Sequence, residues 1–166
     1  SQLGIRRSII YYIGKKIYDE NEVISALLNI ILVTTVLGIV ICLSSFMISK
    51  HEGITYPMIL MGILTIPFSL IVNYTAGIFI SKEQIRKFNL FQWVPVLLNL
   101  LSIILLVLIL KWSILGALIS YVFSLAAMSG YAIYRLHKEF GFTYSLNFKT
   151  IKDLLLLGIG FSFALS

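Results

Sequence analysis

The chain has 166 residues, 59% of them hydrophobic and 12% charged, with a mean hydropathy of +0.98. A soluble domain carries about 25% charged residues, so a soluble fold is excluded and the formal charge of +6 needs another explanation. The single cysteine, Cys42, excludes an intrachain disulfide and a cysteine-based metal cluster. It reads as a small packing residue.

In chain order, SQLGIRRSIIYYIG (1–14) reads as the end of a transmembrane helix already under way, and 15–25 as a cytoplasmic loop. Four charge-free runs follow, at 26–48, 53–81, 88–110 and 112–134. Each exceeds the roughly 20 residues that carry a helix across about 30 Å of hydrocarbon. Spans are assigned to 26–48, 54–81, 88–110 and 112–134. The mixed stretch RLHKEFGFTYSLNFKTIKD (135–153) reads as a cytoplasmic linker with an amphipathic part on the membrane surface. Residues 154–166 open a further span. The fold class is all-α integral membrane, a polytopic helical bundle.

The distribution of Lys and Arg explains the net charge. Arg6, Arg7, Lys15 and Lys16 precede the first run, and only Lys50 separates the first two. Lys82, Arg86 and Lys87 stand between the second and third, Lys111 alone between the third and fourth, and Arg135, Lys138, Lys149 and Lys152 after the fourth. Rich and poor connections alternate, as the positive-inside rule requires. The rich ones face the cytoplasm, and the basic excess is topological rather than a sign of nucleic-acid binding. Tyr11, Tyr12, Tyr18, Phe88, Phe91, Trp93, Trp112, Tyr131 and Tyr134 fall near the resulting interfaces, where aromatic belts form.

Each run carries a small or polar stripe at helical spacing: Thr35, Gly38, Cys42, Ser45, Ser49; Gly62, Thr65, Ser69, Asn73, Ala76; Gln92, Pro95, Asn99, Ser102; Gly116, Ser120, Ser124, Ala127. Helices in lipid associate through close contact of small residues and interhelical hydrogen bonds, so the small members are expected in bundle contacts. The amides Asn29, Asn73, Gln92 and Asn99 are costly in hydrocarbon unless paired. They act either as polar glue between helices or as the lining of a hydrated cavity open to the cytoplasm. The frame Asn73-Tyr74-Thr75 matches a glycosylation acceptor, but within an apolar run the match reads as accidental. Pro67 and Pro95 mark helix kinks. Arg6 and Arg7, one to two turns inside the Lys15–Lys16 boundary, either snorkel to the headgroups or pair with an anionic group such as phosphate.

No chemistry-bearing motif is present. None of the four runs holds a carboxylate, and His51 and His137 lie in or beside connections without ligand-spaced partners. No phosphate loop, nucleophile elbow or metal motif appears. The expectation is a protein that is not an enzyme and needs no cofactor or metal.

Several segments in succession resemble one transporter family. GIRRSIIYYIGKKIYDENEVISALL is similar to the end of the second helix, the basic loop and the start of the third in polysaccharide and O-antigen flippases. These belong to the multidrug/oligosaccharidyl-lipid/polysaccharide exporter superfamily. IPFSLIVNYTAGIFISKEQIRKFNLFQ resembles that family's fourth helix, short basic loop and fifth-helix entry. LGALISYVFSLAAMSGYAIYRL resembles its sixth helix, and FKTIKDLLLLGIGFSFALS the opening of its seventh. The chain departs from the pattern at Tyr11, where members often carry arginine, and at Gly158-Ile159-Gly160, which lacks their proline.

The resemblance implies part of one six-helix lobe of a two-lobe, MATE-like exporter, with 135–153 linking the lobes. It implies flipping of a polyprenyl-pyrophosphate-linked oligosaccharide across the cytoplasmic (inner) membrane of a bacterium or archaeon by alternating access. Implied partners are that substrate, membrane lipids, a coupling ion (H+ or Na+) and polysaccharide polymerase machinery. Arg6 and Arg7 would hold the pyrophosphate, and Asn29, Asn73, Gln92 and Asn99 the sugar hydroxyls. The alternatives are a drug or cation antiporter of the same superfamily, or a non-transporting multi-helix assembly protein.

Overall fold

Hydrocarbon offers no partner for a backbone N–H or C=O, so a charge-free run of membrane length must bond within itself as helix. The computed structural model describes residues 5–15, 17–48, 55–141 and 148–163, except the side chains of 5–7, 20, 47–48, 140, 148–149 and 158–163. The helices are α1 (Ile5–Gly14), α2 (Glu20–Ile48), α3 (Tyr56–Ser81), α4 (Ile85–Ile103), α5 (Ser113–Phe140) and α6 (Phe148–Phe163). A π-helical segment, Ile104–Ile109, continues α4. Among the described residues there is no strand. Four helices, α2, α3, α4 with its π-extension, and α5, are long and apolar enough to cross a membrane, which agrees with the four charge-free runs.

Three helices extend past the spans expected from hydropathy on the side of the basic connections. α2 begins at Glu20 rather than 26, α4 at Ile85 rather than 88, and α5 continues to Phe140 rather than ending at 134. With α6 starting at Phe148, the segment 135–153 is helical over 135–140 and 148–153. Helix geometry does not stop where charge begins: His137 and Lys138 sit in the last turn of α5, where cations complement the helix dipole. Gly141 then terminates it in the left-handed conformation (φ 51°), its N–H donating to His137 O at 2.9 Å. The connection at 49–54 lies outside the described residues.

α3 and α4 are joined by Lys82–Gln84, and the π-segment and α5 by Leu110–Trp112. Such short links make each pair an antiparallel hairpin, so α3 and α5 run the same way. Both turns hold non-glycine residues at positive φ, Glu83 (59°) in one and Lys111 (56°) in the other. Pro57 begins α3 in the first turn, where a missing N–H costs nothing. Pro67 and Pro95 lie inside helices that continue past them.

α3 is the central element, packed against α1, α2, α4 and α5. One of its faces gives Tyr74 and Ile78 to a cluster with Ile9 and Ile13 of α1, Ile24, Leu27 and Ile30 of α2, Leu136 of α5 and Leu154 of α6. The other gives Val72, Ala76 and Phe79 to a cluster with Phe91 of α4 and Leu125, Met128 and Ala132 of α5. Phe79 and Phe91 stack at 5.3 Å between ring centroids.

Burial is concentrated at one end. Buried residues stop at Ile31 along α2 and at Pro95 along α4, and begin only at Val72 along α3. α5 alone is buried along its length, on a stripe of every fourth residue from Gly116 through Ser120, Ser124, Met128 and Ala132 to Leu136.

The small-residue stripes divide accordingly. A Cβ on Gly38 would meet Ile66 Cγ2 at 3.2 Å, and one on Gly116 would meet Val107 Cγ2 of the π-segment at 3.3 Å, so both are contact positions. Ser120 and Ser124 are buried and donate to the carbonyls of Gly116 (2.7 Å) and Tyr121 (2.8 Å). Gly62 and Ala127, expected in contacts, are exposed instead. Helical spacing places residues on one face but does not say which face meets a neighbour when all faces are apolar.

Candidate functional site

The charged connections converge on the packed end of the bundle. Tyr18, between α1 and α2, donates a 2.6 Å hydrogen bond from its hydroxyl to Asp153 Oδ2 on α6. Lys87 Nζ of α4 lies 2.6 Å from Glu139 Oε2 of α5. Arg135 Nη2 approaches Glu139 Oε1 at 3.1 Å. That oxygen is nonetheless buried without a hydrogen bond, so the approach is a Coulombic contact with the wrong alignment for a bond. Lys87 also sits 5.3 Å from the centroid of the Phe79 ring. The hydrogen bond to Asp153, with desolvation and the nearby carboxylate charge, pushes the Tyr18 hydroxyl up to about 12.

The three basic segments expected on one side of the membrane, 15–25, 82–87 and 135–153, therefore meet in space. Between the first two lies a cleft of about 480 Å³ lined by Ile13, Gly14, Tyr18, Asp19, Ser81, Lys82 and Glu83. Asp153 and Glu139, which tie this end together, were not singled out by the sequence reading. The available signal was their position: each is an acid within a strongly basic stretch.

The candidate amides do not form a single constellation. Asn73 is half-buried in α3, its Nδ2 donating to Ser69 O at 2.8 Å. Asn29 is half-buried in α2 and makes the same bond to Ser25 O at 2.9 Å. Each of these two bonds is to the helix's own carbonyl four residues back. Gln92 is exposed on α4. Asn99 is half-buried, and its Oδ1 is enclosed without a partner. α2, carrying Asn29, and α4, carrying Gln92 and Asn99, each pack on α3 without forming a packed pair with one another. Arg6 and Arg7 belong to α1, but their side chains lie outside the described residues.

Buried side-chain oxygens without a hydrogen bond also occur at Ser8, Thr35, Gln84, Glu139 and Thr150, and of these Thr35 Oγ1 on α2 lies at a depth like that of Asn99. At about 1.5 Å per residue, Thr35 and Asn99 stand about 22 Å and about 21 Å from the packed ends of their helices. Asn29 and Asn73 stand nearer that end, at about 13 Å and about 12 Å by the same measure. Polar side chains thus occupy two levels within otherwise apolar helices. Among the described residues no group of His, Cys, Asp and Glu is placed to hold a metal ion.

Comparison with protein-family models, with curated proteins and with solved structures finds no match. The fold itself defines the class: an all-helical architecture with four candidate membrane spans, that of a multi-pass membrane protein.

Proposed function

We propose that the chain belongs to an exporter that flips a polyprenyl-pyrophosphate-linked oligosaccharide across the cytoplasmic membrane, within a MATE-like two-lobe fold. The observation that carries the reading is that two of the six buried, unbonded side-chain oxygens among the described residues, Thr35 Oγ1 and Asn99 Oδ1, lie at matching depth within the apolar spans. A buried polar atom without a partner costs about 1–3 kcal/mol and calls for a transient one. A sugar hydroxyl or a water moving with it meets that need. The succession of segments resembling the family supports the same reading, as does the meeting of the three basic connections at one end.

In this scheme Asn29, Asn73, Gln92 and Asn99 offer hydrogen bonds to the glycan, while Arg6 and Arg7 attract the pyrophosphate. The coupling ion is H+ or Na+. The test is flipping of a fluorescent lipid-linked oligosaccharide in proteoliposomes containing the full reading frame. Substituting Asn73, Asn99, Arg6 and Arg7 by Ala lowers the rate if they line the path. An unchanged rate removes these roles.

A second reading, a non-transporting assembly protein, draws on the two hydrophobic clusters that close one end of the bundle. It requires residues 1–166 alone to remain folded and monodisperse after purification, with no transport by the full reading frame.

A further inference from the structure

We propose that the groove between α4 and α5 holds one acyl chain of an anionic phospholipid, with the lipid phosphate on Arg135. The inference stands on its own and does not depend on the transport reading. The groove has a volume of about 370 Å³ and is lined by Leu90, Val94 and Leu98 of α4 and Ala127, Met128 and Tyr131 of α5. The α4 residues recur every fourth position, forming one wall about 12 Å long. Leu90, Ala127 and Tyr131 are exposed, so the groove opens sideways from the bundle.

Its head selects the occupant. Arg135 stands one turn beyond Tyr131, with its guanidinium 5.8 Å from the centroid of that ring. Lys87, one turn before Leu90, is spent on Glu139 at 2.6 Å. Arg135 is engaged less tightly: it forms an ion pair with Glu139 Oε1 at 3.1 Å but makes no hydrogen bond to it. The guanidinium N–H donors, on a side chain 25% exposed, therefore keep hydrogen-bonding capacity for an acceptor beside the ion pair. Arg86 and Lys138 are both exposed, so the four cations Arg86, Lys87, Arg135 and Lys138 outnumber the carboxylates of Glu139 and of Glu83 in the turn before α4. A guanidinium fork matches phosphate oxygens. The surplus positive charge favours a headgroup whose phosphate is not offset by its own ammonium.

The test is native mass spectrometry of the full chain from micelles holding phosphatidylglycerol and phosphatidylcholine in equal amounts. Retention of phosphatidylglycerol over phosphatidylcholine is expected, and R135Q should lower that preference about fivefold, since a cation near an anionic surface contributes about 1 kcal/mol. R135K keeps the charge but not the fork and should fall between. A127F fills the groove, leaves the charges alone and should lower retention of both lipids. Equal retention of the two lipids by the wild type overturns the proposal, as does R135Q with undiminished preference. Unchanged retention by A127F, with helicity intact by circular dichroism, overturns the acyl placement. Independently of any variant, phosphatidylglycerol with a photoreactive tail should label Leu98 or Ala127 in the wild type; labelling confined to other helices overturns it.

Discussion

Tyr18 and Asp153 are 135 positions apart in sequence and 2.6 Å apart in space. Their bond fastens the α1–α2 connection to α6. It also joins two of the segments that charge distribution assigns to the same side of the membrane. The donor is a neutral phenol and the acceptor a carboxylate, which fixes the pH response.

For Tyr18 the folded value, about 12, lies above the ordinary 10.0. The bond's contribution is complete below the unfolded value and declines as pH rises from there through the folded one, because the unfolded chain loses its proton first. In an alkaline titration of tyrosinate absorbance, the late phase should lose the amplitude of one tyrosine in Tyr18→Phe. An identical late phase in both proteins would contradict the bond.

Glu139 serves both Lys87 and Arg135. Partly exposed pairs of this kind contribute about 0.2–1 kcal/mol, so Glu139→Gln should lower thermal stability modestly and salt should narrow the difference. Lys87→Glu should be worse, since it sets two carboxylates together. Adding Glu139→Lys to it restores the α4–α5 pair but leaves Lys facing Arg135. The double variant should therefore recover only part of the loss in melting temperature.

Gly38 and Gly62 make an internal control. Gly38→Leu drives a side chain into Ile66, already 3.2 Å from where its Cβ would stand, and overpacking costs about 1–3 kcal/mol. Gly62 has nothing within 4 Å of its Cβ position, so Gly62→Leu should be near neutral. Resistance to unfolding in a denaturing detergent series measures both. Equal sensitivity of the two would show that the α2–α3 contact is not the cause.

Phe79 is 0% exposed and Leu101 63% exposed, though both are large apolar residues in membrane-length helices. Phe79→Ala removes the stack on Phe91 and opens a void, costing about 3 kcal/mol or more. Leu101→Ala exchanges contacts with surrounding lipid and should change little. The same detergent series should separate them.

The spans were legible because absence of charge over membrane length has one structural outcome. Their ends were less so: Arg135, His137 and Lys138 read as a linker, yet they extend α5 until Gly141 caps it. Gly141 following a basic turn was the overlooked stop signal. The inward faces were hidden for a different reason. In IILLVLIL (103–110) every side chain is aliphatic, so no periodicity announces which residues meet a neighbour, nor that Ile104–Ile109 adopt a π-helix. The amides were recognisable as unusual. That Asn73 bonds to its own helix depends on rotamer choice, which sequence does not encode.

Burial concentrated at one end has a mechanical consequence. Held mainly at its packed end, a helix of 26 residues such as α3 is a lever about 39 Å long. A small tilt where Phe79 meets Phe91 becomes a displacement that grows with distance along the arm. The aliphatic far ends of α2 and α4 can then change their separation while the aromatic fulcrum barely repacks.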